Sequence, residues 1–181
     1  RQLLPDAWAA LAQPAPQAAR AELLHWLCTR VLSGQPQEAV AAASAWDAWE
    51  TAMSLRKNTS PATALPTGDA AQALLHKFRV QSHYLVHGCF WGDKPLLPRA
   101  RALASVPTAI VHGRLDWICL PQAAWELHQN LPGSRLQWLD GCGHSALEPA
   151  MARAMADAIA HYAEHGQFAN WGNDFSYMGA L

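Results

Sequence analysis

One aspartate and one histidine carry the chemistry that this sequence offers. Asp116 stands three residues after Gly113, where the apolar run 108–111 stops at His112-Gly113. His144 closes the segment Asp140-Gly141-Cys142-Gly143-His144, just past a second apolar run at 136–139. A helix-length segment, 121–130, lies between the two runs. Two strands joined through one helix form a parallel pair, and open α/β sheets hold their ligands beyond the carboxyl ends of such strands. A histidine placed there can move a proton near neutral pH. A carboxylate on its other ring nitrogen fixes the tautomer and stabilises the imidazolium. Each residue alone has an ordinary explanation, the aspartate as a turn residue and the histidine as a packing residue in a glycine-rich loop. The pair, in this order and at two loop tips, is what points to catalysis.

A third member, the nucleophile, does not precede them in any recognisable setting. In α/β-hydrolases the order is nucleophile, acid, histidine, with the nucleophile on a G-x-S-x-G elbow. The nearest match, Gly143-His144-Ser145-Ala146-Leu147, has leucine in the fifth place, and its serine directly follows the candidate base. Cys142 lies two residues before His144, but neighbours in a tight Gly-x-Gly loop do not face each other productively, so a thiol–imidazole pair is set aside.

The elements that must hold the pair are few. Only 108–111 and 136–139 read as strands, and two short parallel strands are not an independent sheet. The region before residue 92 reads as helical throughout. A short helix at 5–11 is followed by one from Pro16, with Leu23, Leu24, Leu27, Val31 and Leu32 at helical spacing, stopped by Ser33-Gly34. A third starts at Pro36. The stretch 54–68 is loop, with an Asn58-Thr59-Ser60 acceptor pattern given little weight. Asp69 is expected to cap a helix to about His87, with Leu74, Leu75, Phe78, Ser82 and Leu85 on one face. A short helix is expected at 99–103. The last helix starts at Glu148-Pro149 and carries Met151, Met155, Ile159 and Tyr162 on one stripe. Phe168, Trp171, Phe175 and Tyr177 make the tail too apolar to be idle, and it is expected to pack, a partner chain being one candidate surface. This divides the chain into a helical part, 1–92, an α/β part, 93–165, and a tail, 166–181.

The 181 residues are 51% hydrophobic with a formal net charge of -1. That suits a folded core and gives no basic footprint for nucleic acid. No apolar run approaches the roughly 20 residues that cross a bilayer. The four cysteines, Cys28, Cys89, Cys119 and Cys142, show no C-x-x-C spacing, so no zinc site or other metal is expected. They read as reduced thiols of a cytoplasmic protein. A chain that starts at Arg1 without a signal-peptide pattern is expected to be a fragment or a processed product.

Four short motifs in order carry a family resemblance: Ala45-Trp46-Asp47-Ala48-Trp49-Glu50, His83-Tyr84, Gly113-Arg114-Leu115-Asp116, and Gly143-His144-Ser145-Ala146-Leu147-Glu148-Pro149. With them the chain resembles, from about Pro5 to Tyr162, the C-terminal part of proline iminopeptidases (prolyl aminopeptidases) of the α/β-hydrolase superfamily. The resemblance implies an α/β fold made of a helical cap and the last two parallel strands and helices of the core, with the N-terminal strands absent. The H-G-G-P-G oxyanion loop and G-G-S-W-G-S elbow of such enzymes are also absent from these residues.

The resemblance further implies a Ser-Asp-His triad completed by Asp116 and His144, no cofactor, and a peptide substrate with N-terminal proline. Glu50 would bind the prolyl ammonium beside the indoles of Trp46 and Trp49, with Tyr84 and position 81 nearby. Where the family pattern R-x-E-x-H-Y has a second carboxylate, this chain has Gln81, which implies weaker ammonium binding or a shifted substrate. The expected partner is an N-terminal half carrying the serine, or a second copy covering the sheet edge, and neither nucleic acid nor membrane. Two other readings stand beside this one: a hydrolase of esters, amides or epoxides on the same fold, and a non-catalytic remnant that binds a partner through its sheet edge.

Overall fold

The computed structural model describes residues 3–57, 64–92 and 95–172. Two compact units divide the chain, Arg1–Asp93 and Lys94–Leu181. The Asn58-Thr59-Ser60 pattern, Phe175 and Tyr177 lie outside the described residues.

The first unit holds helices α1 (Pro5–Ala12), α2 (Leu23–Ser33), α3 (Pro36–Leu55) and α4 (Gly68–Val86). Prolines sit at the first turn of α1 and α3, where their missing N–H is not needed. Ala39, Ala42, Ala43 and Ala52 are buried along α3, which lets its neighbours approach closely. Phe78 and Val31 are fully buried, and Leu11, Leu23, Leu27, Trp46 and Leu75 complete the cluster.

In this unit two helix starts differ from the sequence reading. The segment after Pro16 is a 3-10 helix, Gln17–Glu22, and Glu22 (φ -118, ψ 45) breaks it from α2. None of its six residues is buried, so no packing rewards an α-helical first turn, and helices owe most of their stability to such packing. Asp69 is not the cap of α4. Thr67 precedes the helix without a side-chain cap bond, and Asp69 lies in the first turn, where its charge still suits the helix dipole. On α4, Leu75, Phe78 and Ser82 are buried, while Leu85 is at the surface.

The second unit holds α5 (Leu96–Ala100), β1 (Ala109–Gly113), α6 (Pro121–Asn130), β2 (Arg135–Leu139) and α7 (Pro149–His165). A 3-10 turn, Arg101–Leu103, extends α5, which therefore begins earlier than expected. The strands pair in parallel from Ala109↔Arg135 to Gly113↔Leu139. β1 runs two residues further than its apolar run because His112 and Gly113 still pair with Trp138 and Leu139. The His112 ring meets Trp138 edge-on across the ladder, with centroids 5.8 Å apart.

Both strands are mostly half-buried, whereas strands of parallel sheets are normally covered on both faces. α7 buries Met151, Ala154 and Ala158. The expected stripe does not hold beyond Met151: Met155, Ile159 and Tyr162 are exposed, Ile159 at 70%. Helical spacing says which residues share a face, and here alanines make the covered one. The described part of the tail, residues 166–172, packs on its own unit. Trp171 is buried, Phe168 stacks on Tyr162 and meets Trp171 edge-on, and the Trp171 carbonyl accepts from Arg135 Nε at 2.8 Å.

His128, in the last turn of α6, lies 2.8 Å through Nδ1 from Ser134 Oγ. Burial first, then the charge of Arg135, holds it below its ordinary 6.5. The unfolded chain therefore takes up a proton that the folded unit resists. That makes the second unit less stable as pH falls through about 6.5, and restores the stability above it. Urea midpoints on either side of about pH 6 should show this loss, and His128→Gln should reduce it. An unchanged slope in the variant would contradict the assignment.

Candidate active site

Asp116 ends the turn after β1. Its N–H donates to the Gly113 carbonyl at 3.2 Å, and the chain then folds back so that Ile118 N and Cys119 N donate to Asp116 Oδ1 at 2.9 and 2.8 Å. The side chain is turned inward, and the residue is 5% exposed. Its other oxygen, Oδ2, lies 3.0 Å from His144 Nδ1. A carboxylate accepts and does not donate, so Nδ1 carries the proton and Nε2 is left as the basic nitrogen of the neutral ring. The Asp116–His144 pair expected from the sequence is thus brought together across 28 residues of chain.

The loop that carries His144 is anchored at several points. Leu115 N donates to the Cys142 carbonyl at 2.9 Å, and Arg114 N donates to the Leu139 carbonyl at 3.0 Å. The Arg114 guanidinium lies 4.5 Å above the Trp138 ring and donates through Nε to Asp140 Oδ1 at 2.8 Å. That ion pair is exposed on both sides and contributes little by itself. Glu148 Oε1 accepts from Gly143 N at 2.9 Å, which ties the loop to the start of α7. Gly113 is where the two loops meet. A Cβ there would collide with the Cys142 and Gly143 carbonyls.

Two neighbours of Asp116 were not singled out from the sequence. His112 Nε2 lies 3.9 Å from Asp116 Oδ2, while its Nδ1 lies 2.9 Å from the Gly113 carbonyl. Cys119 is exposed, and ligand atoms of Asp116, Cys119 and His144 lie within 4.8 Å of one another. The only sequence cue to Cys119 is its place three residues after Asp116, one turn of chain away. Cys142 is buried.

The residues expected to read a substrate amine fall in the first unit, on α3 and α4. Gln81 Nε2 donates to Glu50 Oε1 at 2.6 Å, so these two do meet. Lys77, which the sequence reading did not weigh, lies 3.3 Å from Glu50 Oε2 and 2.8 Å from Asp47 Oδ1. Burial alone would lower the Lys77 pKa, but hydrogen bonding and charge from Asp47, then Glu50, outweigh it and raise it. Glu50 therefore already faces a cation.

The expected indoles divide. Trp46 is buried against Phe78 with ring centroids 5.1 Å apart, so it is a core residue rather than a wall open to a ligand. Trp49 meets Trp8 edge-on at 5.6 Å and lines a cavity of about 820 Å³ with Asp6, Ser44, Asp47 and Leu74. Neither Glu50 nor Gln81 lines that cavity. Tyr84 is half-exposed and packs edge-on with His83 and Phe90. No described helix is long and apolar enough to cross a membrane.

A parallel strand pair with a crossover helix, an acid after the first strand and a bonded histidine after the second define a partial α/β-hydrolase. No family model matches the chain. Individual proteins do. The proline iminopeptidase of Xanthomonas citri is 36% identical over 163 residues, 89% of this chain and 51% of that protein. That of Xylella fastidiosa (strain Temecula1) is 35% identical over 86% of this chain and 50% of its own length. The Arabidopsis thaliana proline iminopeptidase is 31% identical over 86% of this chain and 41% of its own. The chain belongs to the proline iminopeptidase family and matches the C-terminal part of its members, spanning about half the length of these relatives.

Replacing Gly113 by alanine should force the two loops apart. The expected cost is about 1–3 kcal/mol, as for other overpacked sites. It should appear as a lower urea midpoint with faster amide exchange at Gly143 than in the parent. A variant with parent-like stability would show that the loops are not in contact at this glycine.

Proposed function

We propose that this chain supplies the acid and the base of a serine aminopeptidase that releases N-terminal proline. The observation that carries this reading is the 3.0 Å bond from His144 Nδ1 to the buried Asp116 carboxylate. It leaves Nε2 to take a proton from a serine hydroxyl and return it to the leaving amine, while Asp116 holds the ring and stabilises the imidazolium. The serine would come from an N-terminal half, since no elbow lies within these residues. The chain alone should then be inactive. Half-exposed parallel strands and the exposed Met155 and Ile159 on α7 support a sheet that a further segment completes. In this reading the first unit is the cap, and Glu50 is the anion for the substrate ammonium.

A second reading is favoured by one observation. Glu50 is already met by Lys77 and Gln81, so a substrate ammonium would compete with an internal cation. A substrate without a free amine, an ester or an acylated amide, would not face that competition, and the Asp–His pair would serve it equally.

The test is reconstitution with a separately produced N-terminal half of a relative, assayed on prolyl-arylamide and on its N-acetylated form. Hydrolysis is expected only with both halves, and Asp116→Asn should reduce kcat about 10⁴-fold by favouring the wrong tautomer. Gln81→Glu should lower KM for the free prolyl substrate and leave that of the acetylated one unchanged. Preference for the acetylated substrate would support the second reading. A folded complex that hydrolyses neither would leave the non-catalytic remnant.

A further inference from the structure

Beside the Asp116–His144 bond stands a third donor that the triad chemistry does not use. The Cys119 thiol is exposed at the turn that wraps Asp116, and its sulfur shares a sphere of 4.8 Å with an Asp116 oxygen and a His144 nitrogen. One buried anion, one imidazole and one thiol make a mixed O, N, S set. Such a set suits borderline and soft divalent ions and not magnesium or calcium, which take oxygen. We propose that Asp116, Cys119 and His144 together bind one thiophilic divalent cation of the zinc type, with water in the fourth position.

The geometry is close to what such an ion needs. With metal–ligand bonds of ~2.0–2.3 Å, ligand atoms of a tetrahedral site stand roughly 3–4 Å apart. His144 Nδ1 and Asp116 Oδ2 already stand 3.0 Å apart, so an ion between them replaces their hydrogen bond, and the remaining spread, within 4.8 Å, closes by rotation of the exposed Cys119 side chain. Asp116 Oδ1 stays held by the amides of Ile118 and Cys119, which orients the carboxylate as outer-shell bonds do in metal sites. Three protein ligands and an open position describe an exchangeable ion, not a closed structural one.

The proton balance is defined. Burial first, and then the charge of Asp116, raises the Cys119 pKa above its ordinary 9.0. The free thiol is therefore protonated at neutral pH, and a coordinating thiol is deprotonated outright. Binding replaces the S–H bond by a sulfur–metal bond and releases that one proton, while the His144 proton moves from Nδ1 to Nε2, so that Nδ1, 3.0 Å from Asp116 Oδ2, gives the lone pair and Asp116 brings its existing charge. The binding stands independently of the catalytic reading. Its consequence rests on that reading: an ion on His144 removes the base, so a loaded site cannot transfer protons.

Cobalt(II) titration of the chain tests this without any activity. Expected are a near-ultraviolet thiolate-to-cobalt band, visible bands of a tetrahedral ion, saturation at one ion per chain, and release of one proton in weak buffer. Cys119→Ser should abolish the near-ultraviolet band, and His144→Gln should weaken binding by at least the ~10–100-fold that outer-shell partners alone contribute. Both side chains are exposed, so neither change empties the core, and Cys89→Ser in the other unit should leave every signal intact. No near-ultraviolet band in the parent, or a band that survives Cys119→Ser, would overturn the proposal. A band lost on Cys89→Ser would overturn it too.

Discussion

A carboxylate withdrawn from water has to be met by donors, because an unpaired buried charge costs several kcal/mol. Asp116 sets that condition for the whole second unit. Two of its donors are local, the amides of Ile118 and Cys119, and a turn of four residues supplies them. The third is the His144 ring, 28 residues away. Bringing it there requires the loops after β1 and β2 to end at the same height. The parallel register does this, with Gly113 opposite Leu139 at the last rung, and the α6 crossover returns the chain to the same end of the sheet. The absence of a side chain at Gly113 then lets the second loop settle on the first. Glu148 holds that loop from its far side through Gly143.

The parts of this arrangement that are local in the chain were legible in the sequence. Asp116 and His144 were visible because each follows an apolar run that breaks at glycine, and α6 was visible from end to end because Pro121 opens it and its length matches the gap. The end of β1 was not. His112 is polar and Gly113 is a strand breaker by propensity, yet both are held in the ladder by Trp138 and Leu139, which the local pattern cannot know. The face of α7 was misread for a related reason. Met155, Ile159 and Tyr162 have the spacing of a buried stripe, but what covers a helix is decided by other segments, and here Ala154 and Ala158 face inward. Trp46 was recognisable as apolar and close to Glu50. Whether an indole lines a site or fills a core depends on what it meets, and it meets Phe78. Lys77, Glu148 and Cys119 touch their partners only after folding.

The two partnered carboxylates illustrate different chemistry from one residue class. Glu50 faces a lysine whose pKa is raised, so its counter-ion stays charged throughout the neutral range. Such a pair is a fixed dipole, and a cationic ligand gains from it only by displacing Lys77 or sharing Glu50 with it. Asp116 faces an imidazole, a group that can accept a proton and return it in a transfer step. The same acceptor geometry therefore gives a static contact on α3 and α4 and a proton-responsive one beyond β1 and β2.

In the proposed aminopeptidase reading, that difference decides which of the two would serve in turnover. A base must be neutral before the transfer and charged after it, and the carboxylate beside it must be ready for both states without moving. Asp116 meets this because its amide bonds to Ile118 and Cys119 do not depend on the charge of His144. The carboxylate stays put while the imidazole gains or loses its proton, so little reorganisation accompanies the change. The same fixity would hold one ligand of the proposed cation site in place. In the proposed cation site a metal would take the place of the Asp116–His144 hydrogen bond, so metal and proton would compete for the His144 ring.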